Sequence, residues 1–201
     1  MRLLSLALAA ALLAPAAHAQ LIPSVSLGVA GGPNFSSFND LAEAGGNETS
    51  TSGFHIGAYG DVSIPFVALR TGVYYLKAGN VETTAGTEVV SANFITVPVD
   101  FRFQTPTPVV RAYALVGPEF RFPLGSAETV VGGGPVVERR SVNVAANVGL
   151  GASFKAPLVG PAAFLELRYS QDVTGFAERS GLTTDNTYKV NLFQVRLGVG
   201  L

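Results

Sequence analysis

Ten charged residues fall on the polar side of segments that alternate polar with apolar residues: Asp61, Arg70, Asp100, Arg102, Arg111, Glu119, Arg121, Glu166, Arg168 and Arg196, four acids and six arginines. Charges enclosed inside a fold must pair, because an isolated buried charge is strongly destabilising. Arginine suits that role, since its planar fork binds a carboxylate bidentately. Two chemistries follow. One is a structural plug of ion pairs. The other, motivated by the arginine excess, is a narrow lining that prefers anions. Hydrolysis is a third chemistry to weigh, and it needs a histidine in reach of a nucleophile and an orienting group. Beyond residue 19 the chain carries one histidine, His55. Asp61 shares its face but stands about 20 Å along an extended strand, at about 3.3 Å per residue.

Other chemistries have less to stand on. No Cys is present, which excludes disulfides and thiolate metal sites. There is no histidine cluster and no Asp-x-Asp calcium loop. Asp172 and Asp185 read as solvated loop acids. Gly132 to Gly134 is not a phosphate loop, since no Lys-Ser/Thr follows it. Asn47-Glu48-Thr49 reads as polar loop. No catalytic residue, cofactor site or metal site is expected.

The elements that must position these charges are strands. In the last segment Phe193, Val195, Leu197, Val199 and Leu201 fall on one face, and Gln194, Arg196, Gly198 and Gly200 on the other. Period two is the strand signal, because successive side chains point to opposite faces. Eight such segments are expected: Ser24 to Gly32, Phe54 to Ile64, Val67 to Ala78, Asn93 to Phe103, Val109 to Phe122, Ser141 to Phe154, Ala163 to Asp172, and Tyr188 to Leu201. Most exceed the roughly 5–6 residues of an ordinary strand and reach the roughly 9–11 that cross a bilayer at a tilt. Their polar faces are rich in Gly, Tyr and Arg and nearly free of Lys, unlike a solvated sheet. A narrow barrel interior, by contrast, alternates small and large residues and pairs its charges. The reading is therefore an all-β, eight-stranded antiparallel up-and-down transmembrane β-barrel, apolar outside and polar inside. The rival is a soluble lipocalin-like barrel, which would invert the two faces.

The connections alternate in length. Pro65 with its neighbours, Gln104 to Pro108, and Lys155 to Pro161 are short; Pro33 to Gly53, Gly79 to Ala92, Pro123 to Arg140, and Val173 to Thr187 are long. An even-stranded up-and-down barrel produces this rotation, with short turns on the periplasmic side and long loops outside. A tight turn at Pro65 would set Asp61 against Arg70, Tyr59 against Gly72, and Gly57 against Tyr74. Phe35, Phe38 and Phe176 suit an outer aromatic girdle. Together with Leu41 they are also the exposed-apolar candidates for surface interaction.

Residues 1–19 read as a secretory signal peptide, with Arg2, an apolar run from Leu3 to Leu13, and Ala17-His18-Ala19 before Gln20. Residues 20–201 are then one domain, the barrel. A net charge of -1 speaks against nucleic acid as a partner. A charged fraction of 13% is low for a soluble protein.

Several fragments, in order, resemble the outer membrane protein beta-barrel domain family, a porin-like group of eight-stranded barrels. They are Gly28 to Ser36 (GVAGGPNFS), Gly53 to Gly57 (GFHIG), Val73 to Tyr75 (VYY), Val97-Pro98, Gly117-Pro118 and Glu166 to Ser170 (ELRYS). The resemblance spans residues 20–201 and implies the bacterial outer membrane as the location. Outer-membrane lipid and the barrel assembly machinery are then the implied partners. Such barrels usually end in an aromatic residue that the machinery recognises, whereas this chain ends in Leu201. The expected role is structural or surface-interacting, by a monomer, with the long loops as the place for any extracellular ligand. A narrow passive pore is the alternative, ahead of a lipid-modifying barrel enzyme.

Overall fold

The computed structural model describes residues 23–39, 50–82, 89–107, 109–124, 137–139, 141–155, 162–175, 177–179 and 186–200. Ten strands occur among them: β1 Ser24–Asn39, β2 Ser50–Ser63, β3 Val67–Glu82, β4 Val89–Gln104, β5 Val110–Leu124, β6 Val137–Arg139, β7 Asn143–Lys155, β8 Ala162–Asp172, β9 Ala177–Arg179 and β10 Asn186–Gly200. Eight of them pair antiparallel in the order β1-β2-β3-β4-β5-β7-β8-β10, and β1 pairs with β10, so the sheet closes. Closure leaves the barrel wall no free edge, which a lipid environment requires because no water is there to satisfy backbone groups.

The two faces are inverted relative to a soluble barrel. Leu27 and Leu150 expose 65% and 66% of their surface. Asp100, Glu119, Arg121, Glu166 and Arg168 expose none. The lipocalin-like alternative, which needs apolar residues inside, is thereby excluded. Aromatic rings gather on the outside near both rims. Phe66, Phe101, Phe103 and Phe154 lie toward the short turns, and Phe35, Phe54, Phe122, Tyr169 and Phe193 toward the opposite end. Phe35 and Phe193, on paired strands, sit 6.4 Å apart ring to ring. No described helix is long and apolar enough to cross a membrane.

The β2–β3 hairpin has the expected register: Asp61 opposite Arg70, Tyr59 opposite Gly72, and Gly57 opposite Tyr74. Its tight turn closes with Ile64 N–H donating to the Val67 carbonyl at 2.9 Å. The Gln104 side chain braces it, with Nε2 donating to the Ile64 carbonyl at 2.9 Å.

Several expectations about extent need correction, beginning with the second and fourth strands, which start at Ser50 and Val89 rather than at Phe54 and Asn93. The first strand does not stop at Gly32 but runs to Asn39, straight through Pro33. The ladder to β2 pairs Pro33 with Phe54, whereas the ladder to β10 skips Gly32 and Pro33. Proline lacks an N–H, so it fits where only one neighbour is bonded. The third strand continues past Ala78 to Glu82, with a register shift between Lys77 and Gly79. Gly79 takes φ 115°, a conformation that side-chain-bearing residues avoid. Finally, the third and fourth long connections are not wholly irregular. They contribute β6 and β9, which pair with each other, while β9 extends the sheet along β10. Residues 1–19, Leu41, Asn47 to Thr49, Gly132 to Gly134, Phe176, Asp185 and Leu201 lie outside the described residues, as does the Phe38 side chain.

Candidate functional site, the ion-paired lumen

Strand parity turns a polar residue inward at every second position, and eight tilted strands leave a lumen only wide enough for side chains to fill. The charges inside therefore meet across the barrel as well as along it. Glu166 on β8 is the hub. Its Oε1 accepts from Arg168 Nη2 at 3.0 Å, and its Oε2 accepts from Tyr113 Oη at 3.0 Å and from Arg70 Nη1 at 3.4 Å. Arg196 Nη1 stands 3.8 Å from Oε1. Arg168 then forks onto both oxygens of Asp100 on β4, across the lumen. This is the bidentate geometry that makes arginine–carboxylate pairs strong and specific.

A second cluster lies toward the long-loop end. Arg121 Nε donates to Glu119 at 2.7 Å, its Nη1 donates to Asp172 and to the Val190 carbonyl, and its Nη2 donates to Ser170. Asp172 Oδ2 also accepts from Asn143 Nδ2 and from Val190 N–H, each at 2.8 Å. Asn147 donates to Glu119 at 3.3 Å. A third cluster sits toward the short turns. Arg70 Nε donates to Asp61 at 3.1 Å, and Arg102 pairs with the same carboxylate oxygen. Ring faces complete the packing: Arg102 lies 3.9 Å from the Tyr113 centroid, Arg70 4.1 Å from Phe164, and Arg196 4.2 Å from Tyr74.

Inward glycines make room for these rings. A Cβ on Gly57 would stand 2.6 Å from Tyr74 Cδ1, and one on Gly28 would stand 2.6 Å from Tyr59 Cζ. Both distances are far inside van der Waals contact, so the ring and the glycine fill one shared space.

Nine of the ten charges singled out in the sequence are thus buried together: Asp61, Arg70, Asp100, Arg102, Glu119, Arg121, Glu166, Arg168 and Arg196. Arg111 is not among them. Its parity is inward, but it stands one residue into β5, half-buried at the short-turn rim, where its Nε donates to the Thr107 carbonyl at 3.0 Å. Asp172 is the converse correction. It is no solvated loop acid but 3% exposed, inside the barrel. The signal was present, for Glu166, Arg168, Ser170 and Asp172 share one parity. With Arg111 out and Asp172 in, the described lumen holds five acids and five arginines, all buried.

His55 also points inward, and its Nε2 accepts from Arg196 Nε at 3.3 Å. Its Nδ1 has no partner among the described residues. The arrangement around it is therefore a hydrogen bond from a cation rather than a nucleophile and an acid. No group of three or more His, Cys, Asp or Glu suited to a metal ion occurs among the described residues.

A family model described as the outer membrane protein beta-barrel domain matches residues 3–200. Among solved structures, the fold is similar to that of the outer membrane protein OprG from Pseudomonas aeruginosa, with a TM-score of 0.55 and 12% identity, covering 89% of this chain and 96% of that one. It is similar also to Neisserial surface protein A (NspA), with a TM-score of 0.53 and 12% identity, covering 89% of this chain and 98% of that one. No curated protein matches the chain.

Proposed function

This chain belongs to the outer membrane protein beta-barrel domain family, and from that premise we propose that it is a structural and surface-interaction barrel whose lumen is closed by its own ion pairs. Its place is the bacterial outer membrane. The observation that carries the proposal is the charge balance of the interior: five buried arginines against five buried carboxylates. A conducting lumen needs side chains whose charge is available to a passing ion. Here the carboxylates are engaged by guanidinium groups from their own and from other strands. An arginine excess was the ground for an anion-preferring pore, and the exchange of Arg111 for Asp172 removes that ground.

The partners that fit this role are outer-membrane lipid around the wall, the barrel assembly machinery during insertion, and an extracellular ligand on the long loops. A monomer suffices for it, and it involves no cofactor and no reaction. The test is single-channel recording of the purified protein in a planar lipid bilayer. The plug predicts inserted protein without discrete current steps. Reproducible steps that select anions would instead establish the passive pore. For the enzyme alternative, the comparison is lipid turnover by the protein and by His55→Ala. The proposal expects neither to change a lipid substrate, and His55-dependent turnover would overturn it.

A further inference from the structure

Below the ion-paired layers, at the short-turn rim, the barrel opens into a cavity of about 240 Å³. Among the described residues, its charged lining is Arg70, Arg102, Arg111 and Lys155 against Asp61 alone. That single carboxylate already serves both Arg70 and Arg102. Arg111 and Lys155 stand outside the balanced interior set, so among the described residues the lining of the mouth carries more positive than negative charge. The second observation concerns Arg102. It is 3% exposed, lines the cavity, and keeps an Nε–H with no hydrogen-bond partner. A buried guanidinium donor left unmade is costly, and a polar partner for it, water or anion, would enter through the cavity that Arg102 lines. The Ser153 hydroxyl adds a neutral group at the rim, while those of Ser24 and Ser63 hydrogen-bond each other at 2.7 Å.

We propose that this mouth binds a small oxyanion, a carboxylate or a phosphate, arriving from the short-turn side, which faces the periplasm in outer-membrane barrels. Arg102 supplies the enclosed donor, its guanidinium carbon 3.9 Å from the Tyr113 ring centroid. Arg111 and Lys155 draw the anion in from solvent, as cations lining a cleft with low-dielectric walls do. The floor includes Tyr59 and Phe164, so the cavity suits an oxyanion on a small organic body as well as a bare one. Binding here is independent of conduction through the layers above.

The experiment uses the full barrel refolded in a neutral maltoside detergent. Inorganic phosphate and acetate are titrated separately, while the arginine Nε–Hε resonances are read by NMR. A saturable shift of the Arg102 signal, with Arg168 unmoved, is expected, and added NaCl should weaken it. A response to phosphate alone, to acetate alone, or to both names the oxyanion. The double variant Arg111→Gln with Lys155→Gln lies outside the interior ion pairs and should bind about tenfold more weakly. Its migration on a gel before and after boiling verifies that it is folded. No saturable Arg102 shift up to about 100 mM of either anion, or an unchanged affinity in the folded double variant, overturns the site.

Discussion

At the scale of single residues, the lumen separates charges by how they are enclosed. Glu166 is fully buried and takes hydrogen bonds from Arg70, Arg168 and Tyr113. Glu166→Gln removes one negative charge from a balanced set and leaves guanidinium groups short of a partner. Breaking a buried pair this way costs about 3–5 kcal/mol, and urea unfolding in lipid vesicles would measure it. Arg111→Gln, by contrast, removes a half-exposed charge at the rim and should cost less than about 1 kcal/mol. The Asp100–Arg168 pair permits a sharper comparison. Replacing both by apolar residues, Asp100→Leu with Arg168→Met, should destabilise less than Asp100→Leu alone, because the double variant keeps the buried charges balanced, whereas the single one leaves a buried positive charge in excess although Arg168 still reaches Glu166.

At the scale of strands, two faces make opposite demands on neighbouring positions. On β7, Leu150 faces lipid and is 66% exposed. Leu150→Arg should cost about 2–4 kcal/mol near the bilayer midplane. On β2, Gly57 faces inward beneath Tyr74, and Gly57→Val would drive a side chain into that ring. The expected result is a lower temperature for loss of the fast-migrating gel form, which adding Tyr74→Ala does not restore, because the added Cβ also stands well inside van der Waals contact of the Val73 carbonyl oxygen. The pairing that causes this was legible in the sequence, because a tight turn at Pro65 admits one register and period two assigns the faces. The span of β1 was not. Pro33 reads locally as a breaker, and only the neighbouring strand shows which side of it needs no hydrogen bond.

At the scale of the molecule, closure of β1 onto β10 makes the barrel one cooperative object. The wall has no free edge from which to fray, and the interior clusters tie facing strands together. The native barrel should therefore resist sodium dodecyl sulfate and migrate faster unboiled than boiled. A single band position under both conditions would contradict a closed barrel.

Sequence alone determined which residues share a face, since alternation is a local property of each strand, while the burial of the charged face in the closed barrel decided that this face points in. The sequence also determined the strand number and the alternation of short and long connections, and hence the fold and the membrane that fits it. It could not determine which charge meets which. Arg168 reaches Asp100 across 68 positions of chain, and Arg121 reaches Asp172 across 51. Those pairs join strands that are not neighbours in the sheet. They depend on the height of each residue along the barrel axis, which the stagger and closure of all eight strands set together. For the same reason Arg111, inward by parity, ends at the rim, and Asp172, at the last position of β8, ends inside, held by the backbone of β10.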